Sequence, residues 1–195
     1  MKKANKFVIT GRLISSRKNE DGTGWITIYT KNGIDIYAKI FCPKEIFKEM
    51  RNRSHVVATG YIKEKWNASN HRNSQKFIAE TLEYEKTITE EHFGEIGKFY
   101  KEPNIQIFVS GTVRSTMKKN GWYLYAVIPD GDTKDKRTQL LIEMKELDRH
   151  PNVRVGDKIC AVCSLSTPRK TLNDKTVYFE NIIVSDLAVI TDEIF

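Results

Sequence analysis

One stretch of the sequence, residues 60–66, interleaves aromatic and basic side chains with apolar positions. Its alternation predicts a strand that presents Tyr61, Lys63 and Lys65 on one face and runs into a polar hairpin loop beginning near Trp66. Aromatic rings stack on unpaired bases and cations contact phosphates, so this combination suits a single nucleic-acid strand. An ordinary exposed hairpin of a basic protein is the alternative interpretation.

The positive charge of the 195-residue chain is concentrated in its first half. The net charge is +7, but residues 1–87 hold 17 Lys and Arg against 9 Asp and Glu, whereas residues 105–195 hold 13 against 12. A basic balance indicates a polyanionic partner, and nucleic acid is favoured over a membrane because no basic amphipathic helix is visible. The first half should therefore carry most of the binding charge.

Two further features bear on compartment and on metal chemistry. No apolar run approaches the roughly 18 residues of a membrane span, and the apolar run after the basic N-terminus breaks at Thr10 and Gly11, too early for a secretory signal. We therefore expect a cytoplasmic, nucleoid-associated protein. Cys160 and Cys163 form a C-x-x-C pair, but a structural zinc site needs four ligands and no second pair exists. Buried thiols are the simpler interpretation, so we expect no metal and no cofactor.

The order of predicted elements indicates an all-β fold with short helices. Alternating segments begin at Phe7, Trp25 and Ile34 and are followed by a short helix over residues 44–51, then by strands from His55 and Lys76. Three strands, a helix and two strands is the order of an OB-fold, a five-stranded Greek-key barrel that binds oligonucleotides or oligosaccharides.

The pattern recurs about 100 residues later, which predicts two tandem five-stranded OB-fold barrels. Ser110-Gly111 matches Thr10-Gly11, and residues 118–122 match the turn into Trp25. The predicted organisation is a first OB-fold over residues 1–87, a linker with helical spacing over 88–104, a second OB-fold over 105–190, and an acidic-hydrophobic tip over 191–195.

Alternation also predicts which side chains face outward from the first barrel. If Ile26 and Ile28 face the core, then Trp25 and Tyr29 face out with Tyr37 and Lys39 of the next strand. Other cations are placed to follow phosphates. The predicted nucleic-acid-binding residues are Arg12, Arg17, Lys18, Trp25, Tyr29, Tyr37, Lys39, Tyr61, Lys63, Lys65, Trp66, Arg72 and Lys76.

The second repeat is predicted to be a poorer nucleic-acid surface. Its outward third-strand residues would be Gln139, Leu141, Glu143 and Lys145. Trp122 and Tyr125 should lie on opposite faces of their strand, so that one of them belongs to the core. We expect weaker binding there, or a role in assembly.

The run over residues 60–66, after Val56-Val57-Ala58, resembles the fourth strand of bacterial single-stranded-DNA-binding proteins (the SSB family). Residues 8–13 also resemble the first strand of that family. The resemblance covers about the first 85 residues and implies that Trp66 stacks on DNA. Some members carry two OB-folds in one chain and dimerise, so it also implies a homodimer as one assembly.

The C-terminus is similar to the tip with which that family docks replication and repair proteins. Asp192 and Glu193 precede Ile194 and Phe195, and two carboxylates beside two apolar residues would suit an apolar pocket with a basic rim. The family's long Gly/Pro/Gln-rich tail is missing. A strand end of chance composition is the alternative.

The leading hypothesis is thus a non-enzymatic protein that coats single-stranded DNA in replication, recombination, repair or mobile-element transfer. A protein-interaction or assembly adaptor and an RNA-binding module stay open, because an OB-fold serves many functions and stacking ignores the 2′-hydroxyl. No Gly-rich phosphate loop, nucleophile elbow or zinc motif is present, so we expect no catalytic residues.

Overall fold

The computed structural model describes residues 5–50, 54–67, 72–84, 105–131, 139–146, 151–172 and 175–190. All the regular structure in these ranges is β. The strands are β1 (Asn5–Lys18), β2 (Gly24–Asn32), β3 (Ile34–Cys42), β4 (His55–Asn67), β5 (Arg72–Tyr84), β6 (Ile105–Lys119), β7 (Trp122–Pro129), β8 (Leu140–Lys145), β9 (Lys158–Ser166), β10 (Arg169–Leu172), β11 (Lys175–Tyr178) and β12 (Asn181–Ile190).

The first five strands close into an OB-like barrel. They pair in the order β2-β3-β5-β4-β1, and β1 pairs again with β2. The ring closes because β1 is long enough to serve two neighbours: Phe7 to Arg12 pair with β4, and Arg12 to Lys18 pair with β2. The predicted all-β class is confirmed.

Strand alternation builds the barrel core as predicted. The inward residues Ile26 and Ile28 of β2 and Ile36, Ala38 and Ile40 of β3 are almost wholly buried. The same alternation along β3 predicts that Ile34 also faces the core, but it is 55% exposed. It directly follows Gly33 in the tight β2–β3 turn, which has a φ of 71°, and so lies beyond the end of the barrel.

The short helix expected over residues 44–51 does not form within the described part of that segment. Residues 44–46 make one turn, in which the amides of Ile46 and Phe47 donate to the carbonyl of Pro43. Isolated helices of this length are marginal. Ile46, Phe47 and Met50, which suggested the helix by their spacing, pack against the core from this irregular segment.

The later strands continue the same sheet through an antiparallel pairing of β1 with β6. They pair in the order β6-β7-β8-β12-β9, and β9 also pairs with β6. The sequence of the second repeat predicts a loop over residues 166–175, but this range contains most of a small β10–β11 hairpin. The sequence also predicts a last long strand beginning at Val177, but Val177 belongs to that hairpin and the strand is Asn181–Ile190.

The strands beginning at β1 and β6 share two local details. Both carry a register shift, between Leu13 and Ser15 and between Val113 and Ser115. A Cβ on Gly11 would lie 2.3 Å from the carbonyl oxygen of Tyr29, and one on Gly111 would lie 2.1 Å from that of Ile128. This common geometry aligns β6 with β1 at an offset of 100 residues.

Some predictions lie outside the described residues, namely the linker over 88–104 and the tip over 191–195. Within the described ranges, no helix is long and apolar enough to cross a membrane. Cys163 is buried whereas Cys160 is exposed on the opposite face of β9, so the expectation of two buried thiols is wrong for Cys160. Cys160 lies between the buried residues Ile159 and Ala161, so strand alternation points its side chain away from the core.

Gly11→Ala should destabilise the barrel by about 1–3 kcal/mol, because the new methyl group must displace the backbone of β2. Urea denaturation followed by tryptophan fluorescence measures the change. Gln106→Ala, at an exposed position of β6, is the control and should change the free energy of unfolding by less than about 0.5 kcal/mol. An unchanged midpoint for Gly11→Ala would contradict the close approach.

Candidate nucleic-acid interface

Three strands of the first barrel arrange their outward side chains in three rows. Arg12 of β1 pairs with Tyr29 of β2, and Arg17 pairs with Trp25. The same β2 residues pair onward with β3, so the outer rows are Arg12–Tyr29–Tyr37 and Arg17–Trp25–Phe41, with Ser15–Thr27–Lys39 between them. All nine side chains are at least partly exposed. We call these nine residues together with Lys76 the aromatic-basic face.

The aromatic residues of this face form two cross-strand pairs. Trp25 and Phe41 meet edge to face, with ring centroids 5.2 Å apart, and Tyr29 and Tyr37 lie 5.3 Å apart at a tilt of 47°. Such pairs are directly opposed on antiparallel strands and hold each other in place. They leave rings on the barrel surface at two points separated by the central row.

Two lysines lie over the Trp25–Phe41 pair. The Nζ atom of Lys39 is 4.7 Å from the Trp25 ring centroid, and that of Lys76 is 5.0 Å from the same centroid and 3.3 Å from the Phe41 centroid. Cation–π contact stabilises this arrangement. A base stacking on Trp25 would therefore find two ammonium groups beside it.

The Tyr29–Tyr37 end of the face also carries a carboxylate. The Tyr29 hydroxyl donates a 2.9 Å hydrogen bond to Oδ1 of Asp35. Burial, together with this hydrogen bond, raises the pKa of Tyr29. The hydrogen bond to Asp35 also restricts the orientation of the Tyr29 ring.

The other predicted site residues occupy several places. Lys18 is exposed at the end of β1, and Tyr61 and Lys63 face outward from β4, where Lys63 pairs with Lys76 of β5. Strands β4 and β5 extend through Asn67 and from Arg72, further into the polar run than the predicted loop allowed. Trp66, Lys65 and Arg72 therefore stand in strands, but their side chains lie outside the part that the structure describes.

Phe41 and Asp35 belong to this region although the predicted site omitted them. Alternation already placed both on the outward side of β3 with Tyr37 and Lys39. What the sequence could not supply was the cross-strand register, which sets Phe41 against Trp25. Lys76 lies in β5, in the strand predicted to begin there, and its ammonium group reaches over two rings.

The corresponding surface of the later strands has a different character. Register aligns β7 and β8 with β2 and β3, so Leu124 and Glu143 stand where Trp25 and Phe41 stand, and Ala126 and Leu141 replace Thr27 and Lys39. Met117 takes the place of Arg17 and is 60% exposed. Trp122 and Tyr125 lie on opposite faces of β7 as predicted, and Tyr125 is the one in the core. The positions matched to the aromatic-basic face thus hold neither rings nor cations, and the Trp122 ring lies in the next row, between Lys119 and Lys145.

A cleft of about 480 Å³ lies beside that surface, between β3 and the later strands. Trp122, Glu143, Asn181 and Ile34 contribute to its lining, which contains no Lys or Arg. Burial raises the pKa of Glu143, and Asn181 lies within 3.5 Å of that carboxylate. A carboxylate without a neighbouring cation in the lining disfavours phosphate binding there.

Strand β3 is held on its outer edge by residues from the later strands. The amide of Tyr37 donates to Oγ1 of Thr167 at 2.9 Å, and the amide of Lys39 donates to Oε1 of Glu180 at 3.0 Å. Burial raises the pKa of Glu180 to about 7, whereas the Lys39 amide and the Lys39 charge lower it. Sequence reasoning did not identify either acceptor, and no local signal marks them.

Among known proteins the likeness is one of fold. No protein-family model and no curated protein sequence matches the chain. A solved structure of the single-stranded DNA binding protein from Thermus aquaticus is 9% identical in sequence, with a TM-score of 0.62. The match covers 100% of this chain and 97% of the Thermus aquaticus chain. A deletion variant of that protein is 9% identical, with coverage of 98% and 97% and a TM-score of 0.63. The chain thus has an SSB-like OB fold.

Glu180→Gln should remove one component of the pH dependence of stability. A carboxyl whose pKa is raised from 4.5 to about 7 on folding stabilises the protein fully below about pH 4.5, and that stabilisation is lost as the pH rises through 7. As the pH rises from 4.5 to 8, the free energy of unfolding of the variant should increase relative to that of wild type by on the order of 2–3 kcal/mol. Urea denaturation across this range measures the difference. Asp186→Asn, at an exposed β12 position, is the control, and parallel profiles for wild type and Glu180→Gln would contradict the assignment.

Proposed function

We propose that this protein is a non-enzymatic single-stranded-DNA-binding protein with little sequence preference. Bases stack on the rings of the aromatic-basic face, and Lys and Arg side chains follow the phosphates. The observation that carries the proposal is the placement of Trp25 and Phe41 on the barrel surface under the ammonium groups of Lys39 and Lys76. Rings beside cations on an OB-like barrel are the arrangement that single-strand binders use.

The charge distribution supports the same function. Residues 1–87 carry the excess of Lys and Arg. Arg12, Arg17 and Lys39 belong to the three rows, Lys18 follows Arg17 on β1, and Lys63 pairs with Lys76 on the neighbouring strands. The name of the Thermus aquaticus protein agrees with this function, but at 9% identity the likeness bears on fold. The proposal therefore rests on the face itself.

We further propose that the chain consists of two tandem OB barrels, of which the first binds DNA. The pairing of β9 with β6 and the register shift that β1 and β6 share support a duplicated barrel. The later strands present Leu124, Glu143 and Leu141 where the first barrel has Trp25, Phe41 and Lys39. This replacement favours weak DNA binding by the second barrel.

A second candidate function, protein interaction or assembly, applies to the later strands. Met117 and Leu141 are 60% and 43% exposed and lie with Leu124 at positions that hold cations or rings in the first barrel. Exposed apolar side chains grouped in this way are a feature of interaction surfaces. A homodimer is one assembly that this surface would serve.

Trp25→Ala should weaken binding to oligo-dT by about 1–3 kcal/mol, because it removes a stacking surface. Fluorescence anisotropy of a labelled oligonucleotide measures the affinity, and circular dichroism checks the fold. Leu124→Ala, at the matching position of β7, is the control and should bind as wild type does.

The wild-type affinity should also fall with salt, with a log–log slope of about −0.7 for each phosphate contact. Equal affinities of Trp25→Ala and wild type would remove Trp25 from the site. Absence of oligo-dT binding would favour the adaptor function instead, and tighter binding of oligo-U than of oligo-dT would favour an RNA-binding module.

We also propose that Asp192, Glu193, Ile194 and Phe195 dock replication or repair proteins. Deleting Ile194 and Phe195 should leave oligo-dT affinity unchanged and abolish capture of such proteins in pull-downs with the full chain as bait. Apolar anchors next to carboxylates supply the reason, since truncating an anchor removes most of the binding energy. Undiminished capture by the truncated chain would contradict the docking role.

A further inference from the structure

The third strand of the first barrel is incompletely supported by its own barrel. β3 pairs with β2 along its whole length, from Ile34 to Cys42, but pairs with β5 only at Ile40 and Phe41. The amides of Tyr37 and Lys39 therefore lie on an edge without a neighbouring strand. Backbone amides at such an edge require other acceptors.

Those acceptors come from distant parts of the chain. Thr167 accepts from Tyr37, 130 residues away, and Glu180 accepts from Lys39, 141 residues away. Thr167 directly follows β9 and Glu180 directly precedes β12. Thr167 is 6% exposed, so its hydroxyl is a buried contact and not a mobile surface group.

The two anchored residues are members of the aromatic-basic face. Tyr37 pairs with Tyr29 through its ring, and Lys39 lies over Trp25. A backbone fixed at these two positions fixes where the ring and the ammonium group stand relative to β2. Stacking depends on that placement, because a small displacement of a binding group weakens the contact it makes.

We propose that Thr167 and Glu180 are positioning residues for DNA binding: the later strands hold β3 in the geometry that the first barrel needs to stack bases. This inference rests on the proposed function. It assigns the later strands a role in affinity even though they carry neither rings nor cations at the positions that match Trp25, Phe41, Lys39 and Arg17.

A second pair of contacts, in which first-barrel residues support a later strand, provides a control. Glu64 of β4 accepts from the amide of Gln139 at 2.8 Å, and Gln75 of β5 donates to the carbonyl of Leu141 at 2.6 Å. These bonds also join the two sets of strands, but they support β8, which presents Leu141 and Glu143. Gln75→Ala should therefore leave DNA affinity at the wild-type value.

The charge of Glu180 allows positioning to be separated from electrostatics. A carboxylate next to Lys39 opposes phosphate binding, so both Glu180→Gln and Glu180→Ala relieve that effect equally. Only Glu180→Gln keeps an acceptor for the Lys39 amide. If positioning matters, Glu180→Ala binds oligo-dT about fivefold more weakly than Glu180→Gln, which corresponds to about 1 kcal/mol.

Thr167 provides a second comparison without any change of charge. Thr167→Val keeps the shape and removes the acceptor, whereas Thr167→Ser keeps the hydroxyl. Thr167→Val should weaken oligo-dT binding about fivefold and Thr167→Ser should restore it. Anisotropy titrations at 10 °C, with the fold checked by thermal denaturation, keep every variant in the folded state.

The outcomes separate the inference from the function it rests on. If wild type fails to bind oligo-dT, the proposed function is wrong. The positioning role is wrong if wild type binds oligo-dT, Glu180→Ala binds it as tightly as Glu180→Gln, and Thr167→Val binds it as tightly as wild type. If Gln75→Ala weakens binding as much as Thr167→Val does, the cause is general loosening between the two sets of strands, and the inference is again overturned.

Discussion

The antiparallel pairing of β1 with β6 joins the strands of the two halves into one sheet. Phe7 pairs with Ile107, and both side chains are buried. With the 100-residue offset between the strands, these are equivalent residues, so the two strands meet about an approximate local twofold axis. The edge contacts agree with it, since Thr167 and Glu180 bond β3 while Glu64 and Gln75 bond β8.

The two sets of strands have similar backbone pairing but different outward side chains. Two of the three outward rows recur in the later strands with the same register, but only the first set of strands places rings and cations in them. The second carries Leu124, Glu143 and Leu141, and its neighbouring cleft contains a carboxylate whose pKa is raised by burial. The two sets of strands thus share backbone register at these rows but differ in the charge and aromatic content of the side chains there.

A large part of the fold was predictable because burial of a strand requires alternation. Period two alone predicts that Ile26 and Ile28 face the core, and both are buried. The predicted helix near Ile46 did not form in the described residues, because three apolar residues at helical spacing pack equally well from an irregular turn. The β10–β11 hairpin was missed, since short polar strands carry little periodic signal.

For the candidate interface, the sequence by itself determined which β2 and β3 side chains face outward and that the excess positive charge lies in the first half. Local alternation and composition are sufficient for both conclusions. Only the tertiary structure placed Phe41 against Trp25, brought Lys76 over both rings and set Thr167 and Glu180 against β3. Those contacts depend on cross-strand register and on pairing between residues up to 141 positions apart, which no local pattern encodes.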